Sequence, residues 1–112
     1  MAESKIESYL RDEIKTIGGR AYKFISPGNN GVPDRLVCLP GGVIAFVETK
    51  DKGKKSTPRQ RLQQGRLKAL GFRVYTEIDS RAKVDQVIGE LNAKRQENYN
   101  EYLSKTIGGG LE

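Results

Sequence analysis

GVPDRLVCLPGGVIAFVETK, residues 31–50, places Asp34 and Glu48 at the outer ends of two apolar runs joined by Pro40, Gly41 and Gly42. Acids in apolar strands are costly unless something positive neutralises them. "DRLVCL" and "VIAFVETK" are rich in β-formers, and "PGG" between them is a turn signal, so the stretch reads as a β-hairpin. With a three-residue loop and Gly42 in the left-handed position, Leu39 faces Val43, and pairing outward sets Asp34 directly across from Glu48. Their Cβ atoms then lie roughly 4.5 to 5.5 Å apart. Lys50 projects on the same side as Glu48, while Val47 and Thr49 point to the other. A two-residue loop would instead set Asp34 opposite Thr49 and turn Glu48 to the other face, so register decides whether these residues form a site.

Two facing carboxylates destabilise a sheet, because neither ionises freely beside the other; a bound cation reverses that sign. Mg²⁺ prefers oxygen ligands and takes one or two carboxylates, leaving other positions to water and substrate phosphate. A neighbouring lysine can orient the attacking water or stabilise charge developing on the phosphate. Taken singly, an Asp after Pro is a common turn residue and Glu-Thr-Lys a common solvated strand exit. Together on one face of one hairpin, they point to hydrolysis of a phosphodiester.

Composition narrows the alternatives. A chain of 112 residues, 36% hydrophobic and 30% charged, has the length for one modest core beneath a charged surface. We expect a single domain over 1–112, with a core over about 3–92 and a tail over 93–112. Twenty Lys and Arg against fourteen Asp and Glu give a net charge of +6, which suits a polyanion such as nucleic acid. The chain has no histidine. That removes Ser-His-Asp and Cys-His catalysis, histidine bases and the common zinc sites, leaving carboxylates, lysine, tyrosine, serine or a hard metal held by oxygen. The single cysteine, Cys38, cannot form an internal disulfide and reads as a buried core thiol, so the expected compartment is reducing and cytoplasmic. The longest apolar run, 43–47, is far below the roughly 20 residues that span a bilayer, and no signal peptide is visible. No membrane association is expected.

Along the chain, Ile6, Tyr9, Leu10, Ile14 and Ile17 mark one apolar face of a helix over 3–17, stopped by Gly18 and Gly19. "RAYKFI" reads as a strand, "SPGNNG" as a loop, and the hairpin follows. After the basic loop "DKGKKS", Thr57 is a helix N-cap, Pro58 its first residue and Gln60 the closing member of a capping box. That helix ends near Leu70 with Gly71 behind it, and "FRVYTEI" is a fourth strand. Ser80 caps a helix carrying Val84, Val87, Ile88 and Leu91 on one stripe. Tyr99, Tyr102, Leu103 and Ile107 keep helical spacing beyond it, as an additional helix packing on its own core or on a second subunit. The order is α-β-β-β-α-β-α.

"GVPDRLV", "AFVETK" and "STPRQ", in this order, resemble the virus-type replication-repair nuclease (VRR-NUC) domain of the PD-(D/E)XK nuclease superfamily. The resemblance covers about residues 3–78. It implies an α/β fold with the PD-(D/E)XK restriction-endonuclease-like α-β-β-β-α-β core, with an additional C-terminal helix or helices around a mixed sheet. It further implies a Mg²⁺- or Mn²⁺-dependent endonuclease acting on DNA, in which Asp34, Glu48 and the main-chain carbonyl of Thr49 hold the metal. Lys50 would assist the nucleophilic water, and Gln60 would sit beside the site as well as in its capping box. The family also places an acid on the first helix. Helical geometry and the spacing to Ile6 favour Glu3, with Glu7 close behind; a Ser4–Glu7 capping box would leave Glu3 outside the helix. Lys52, Lys54, Lys55, Arg59 and Arg61 follow the site and would grip phosphates of the DNA without reading its sequence. Stand-alone domains of this family are similar to junction-resolving homodimers, which makes branched DNA such as a four-way junction the expected partner, alongside a second copy.

Overall fold

The computed structural model describes residues 3–105. Its elements are α1 (Lys5–Thr16), β1 (Arg20–Lys23), β2 (Arg35–Leu39), β3 (Val43–Thr49), α2 (Pro58–Ala69), β4 (Arg73–Ile78) and α3 (Arg81–Leu103). One sheet in the order β1-β2-β3-β4 joins them, antiparallel across the first three strands and parallel between β3 and β4. This mixed sheet flanked by helices is the α-β-β-β-α-β core that the sequence predicts.

Alternation along the strands divides the sheet into two faces. Val37, Leu39, Val43, Ala45 and Val47 meet Leu10 and Ile14 of α1 and Val84, Val87 and Leu91 of α3 in one buried core. On the reverse face Phe46 lies between Phe24 and Phe72, with ring centroids 5.4 and 5.6 Å apart. Cys38 falls on this second face and is half-buried, not a core thiol, because Val37 and Leu39 beside it take the core side. The Tyr9 hydroxyl donates to Asp85 at 2.6 Å beneath the Arg81 guanidinium, tying α1 to α3.

Two boundaries differ from expectation. α1 begins at Lys5, not at residue 3, because Ser4 takes the N-cap and accepts the Glu7 N–H at 3.0 Å. The expected additional C-terminal helix is instead the second half of α3, a 23-residue helix. Residues 92–98 contain no Gly or Pro, so nothing interrupts the helix between Leu91 and Tyr99. Ile107 lies outside the described residues. Among those described, no helix is long and apolar enough to cross a membrane.

Gly19 shows how tightly α1 turns into β1. A Cβ there would stand 2.6 Å from the Cys38 carbonyl oxygen and overlap the Leu39 side chain. Gly19→Ala is therefore expected to cost about 1–3 kcal/mol in denaturant unfolding, as overpacking does.

Candidate active site

The hairpin pairs Leu39 with Val43 and, running outward, Arg35 with Val47. Continuing this register one step outward brings Asp34, just ahead of β2, opposite Glu48 of β3, close enough for the Asp34 charge to act on the Glu48 carboxyl. Gly41 and Gly42 both carry positive φ, +84° and +75°, where the sequence required only Gly42 to do so. A Phe24 N–H donates to the Asp34 carbonyl at 2.9 Å, fixing the backbone just ahead of β2. The loop before it docks on α2, since at Gly31 (φ +91°) a Cβ would stand only 3.0 Å from the Arg59 carbonyl.

Thr49 holds the Asp34 carboxylate from two atoms: its N–H donates to Oδ1 at 2.8 Å and its hydroxyl to Oδ2 at 2.5 Å. Strict alternation would point the Thr49 side chain away. The ladder between β3 and β4 is irregular between Val47 and Thr49, which releases the end of β3 from regular pleating. Burial pushes the Asp34 carboxyl above its usual range, against the Thr49 hydrogen bonds; the nearby Glu7 charge adds to the rise.

Glu48 is 3% exposed. Its Oε2 accepts the Gln60 amide N–H at 3.0 Å and lies 3.8 Å from Lys50 Nζ, while Oε1 is buried without a hydrogen-bond partner. Burial, and then the Asp34 charge, push the Glu48 pKa up to about 7, with Lys50 and the nearby Gln64 side chain opposing. A folded-state pKa above the ordinary 4.5 means that the folded chain binds this proton more tightly than the unfolded chain. Stability is then lost as pH rises from about 4.5 to about 7 and stays lost above. In chelator, Glu48→Gln is thus expected to raise the melting temperature at pH 8, by the equivalent of about 1–3 kcal/mol, and to converge on wild type near pH 4.

Gln60 has two roles at once. Its Oε1 accepts the Thr57 N–H at 2.9 Å, closing the capping box of α2, and accepts Lys50 Nζ at 2.6 Å. Its amide nitrogen meanwhile holds Glu48. Helix start, lysine and glutamate form one hydrogen-bonded chain.

Glu3 precedes the helix, and Glu7 lies in its first turn. Both carboxylates reach Arg35, whose guanidinium is 3% exposed: Glu3 Oε2 lies 2.5 Å and Glu7 Oε2 3.0 Å from its terminal nitrogen. Glu3 also pairs with Arg11. Glu7, Thr49, Lys50, Lys54 and Lys55 share a cleft of about 400 Å³, which Glu3 does not line. Of the other basic residues, Lys52 is exposed, Arg59 packs on Gly31, and Arg61 donates to the Ser56 carbonyl at 2.5 Å. Arg35 escaped the sequence reading. The signal was there: alternation puts it on the core face, where a buried guanidinium requires partners such as the acids of α1.

Among the described residues no three Asp, Glu, Cys or His side chains gather as a metal cluster. A donor set at this site would therefore combine the Asp34–Glu48 pair with main-chain oxygen and water. The orphaned Glu48 oxygen and the all-oxygen donors fit a hard divalent ion.

A facing Asp–Glu pair and a lysine, at one end of a mixed sheet between helices, define a PD-(D/E)XK-type core. No protein-family model matches the chain. It is 57% identical over 78 residues to "Putative nuclease p44" of Acyrthosiphon pisum secondary endosymbiont phage 1, a match covering 70% of this chain and 83% of that protein. A solved VRR-NUC domain superposes with a TM-score of 0.71 at 35% identity, over 76% of this chain and 91% of that one. The chain belongs to the VRR-NUC family of nucleases.

Proposed function

We propose that the chain is a divalent-metal-dependent DNA endonuclease that acts on branched duplexes such as four-way junctions, as a homodimer in the cytoplasm of a bacterial or phage-infected cell. The observation that carries this reading is Glu48 Oε1, a buried carboxylate oxygen with no protein partner, in a pair with Asp34 and beside Lys50. Asp34, Glu48 and the Thr49 carbonyl would hold Mg²⁺ or Mn²⁺. When bound, such an ion neutralises charge on the scissile phosphate and acidifies a water nucleophile.

The side chains of the site supply positioning. Thr49 fixes both Asp34 oxygens, and Gln60 holds Glu48 and Lys50 in one network. The Lys50 ammonium would orient the attacking water or meet a phosphate oxygen. Lys52, Lys54, Lys55 and Arg59 offer contacts to flanking phosphates, which carry no sequence information, so selection would be by DNA shape. Arg61, turned to the Ser56 carbonyl, orders the start of α2. Tyr99 and Tyr102, 52% and 60% exposed near the end of α3, would carry contact with a second copy.

The test is a panel of labelled four-way junction, flap, linear duplex and single-stranded DNA, with an RNA control, in Mg²⁺, Mn²⁺ or chelator. Nicks near the branch point, present only with metal, are expected. Binding without cleavage under either metal would make the chain a nucleic-acid-binding module instead. Light scattering should give a dimer mass that Tyr102→Glu reduces to a monomer.

A further inference from the structure

β4 carries one residue too many for its partner. Pairing runs Ala45 with Arg73, Phe46 with Val74 and Val47 with Tyr75, then resumes at Thr49 with Ile78, so β4 advances three residues while β3 advances two. The extra residue is accommodated at Glu77, whose φ of +56° makes it the one non-glycine residue with positive φ among those described. A residue with a side chain is unfavourable there, and such strain persists where the surroundings impose it, often beside a functional site.

The bulge touches the site in two ways. It lets the Ile78 carbonyl accept the Lys50 N–H at 3.0 Å, which fixes the main chain of the site lysine. It also aims the Glu77 carboxylate at the basic loop: Oε1 accepts the Ser56 N–H at 3.0 Å. Two residues on, Asp79 accepts the Gly53 N–H at 2.9 Å. The loop between these anchors contributes Lys54 and Lys55 to the cleft. Its residues 51–55 are exposed, so it has no core of its own to order it.

Acids next to a phosphate-gripping loop would ordinarily repel DNA. Here the partners of both carboxylates include backbone N–H groups. Lys55 Nζ lies 3.7 Å from Glu77 on a side chain 79% exposed, a pair weak enough to leave the ammonium available. We propose that Glu77 is a positioning residue for DNA: the bulged residue whose carboxylate holds the loop 51–56 in the shape that presents Lys54 and Lys55 to the phosphates flanking the site. This rests on the nuclease reading above.

Glu77→Gly and Glu77→Gln separate positioning from charge. Glycine accepts the positive φ and keeps the bulge but removes the anchor; glutamine keeps an acceptor oxygen but removes the charge. Binding of labelled duplex is measured by anisotropy in chelator across salt concentrations, and cleavage separately with Mn²⁺. Glu77→Gly is expected to melt close to wild type yet bind about fivefold more weakly, with the slope of log Kd against log salt smaller by about 1, KM raised and kcat nearly unchanged. Glu77→Gln should bind as wild type does or more tightly. Simple charge repulsion predicts tighter binding for both variants, so a Glu77→Gly protein that binds as tightly as wild type, or more so, overturns the inference alone. Wild-type protein that neither binds nor cuts DNA overturns the nuclease reading and this inference with it.

Discussion

Asp34→Asn is expected to fold and bind DNA while losing single-turnover cleavage by on the order of 10³-fold or more. Asparagine suits this test because it can keep both local bonds: its oxygen still accepts the Thr49 N–H, and its amide can donate to the Thr49 hydroxyl in place of the Asp34 Oδ2 contact. What it removes is the charge and one anionic oxygen. Since burial already raises the Asp34 pKa, a neutral isostere should not lower the melting temperature. Binding in chelator should hold or tighten, because a carboxylate charge next to Thr49 at the cleft's edge is removed. A variant that cuts within tenfold of wild type would leave Asp34 with a purely structural role in tying β2 to Thr49.

Lys50→Met is the second large effect, a fall in kcat of about 10²- to 10⁴-fold with little change in KM, read by steady-state and single-turnover cleavage. Methionine retains most of the apolar stem and deletes the ammonium that bonds Gln60 at 2.6 Å and faces Glu48 at 3.8 Å. Arginine should rescue poorly. Its broad planar fork does not reproduce a point charge in a half-buried slot shaped by the Gln60 carbonyl oxygen. Losing the ammonium also removes the one nearby cation opposing the rise in the Glu48 pKa, so the residual activity should need higher pH than wild type.

The parts of the site that were legible in the sequence are those fixed by local rules. Three loop residues set the hairpin register and with it the facing of Asp34 and Glu48. Thr57, Pro58 and Gln60 announced the start of α2, and the capping box formed there already brings Gln60 to the strand end that carries Lys50. What stayed hidden depends on residues far apart in the chain. Thr49 turns its hydroxyl to Asp34 beside an irregularity created by an extra residue on β4, nearly thirty positions later, which no pattern within β3 could reveal. Arg35 joins Glu3 and Glu7 only once α1 lies across β2. The positions of Glu3 and Glu7 depend on a single cap: Ser4 starts the helix after Glu3, so of the two only Glu7 is borne on α1, and only Glu7 lines the cleft. The apolar stripe of α3 weakens beyond Leu91, so its continuity to Leu103 is not visible in the pattern, although no residue there breaks a helix.

Calorimetric titration of Mn²⁺ into the protein bound to a phosphorothioate duplex that resists cleavage, repeated near pH 7 in two buffers of different ionisation heat, addresses the acid pair without relying on activity. Wild type should bind Mn²⁺ and release a fraction of a proton, because a carboxyl with a pKa of about 7 must ionise to become a ligand. The Asp34→Asn, Glu48→Gln double variant should lose both signals. Mn²⁺ binding unchanged in that variant, or absent from DNA-bound wild type, would contradict a metal held between Asp34 and Glu48.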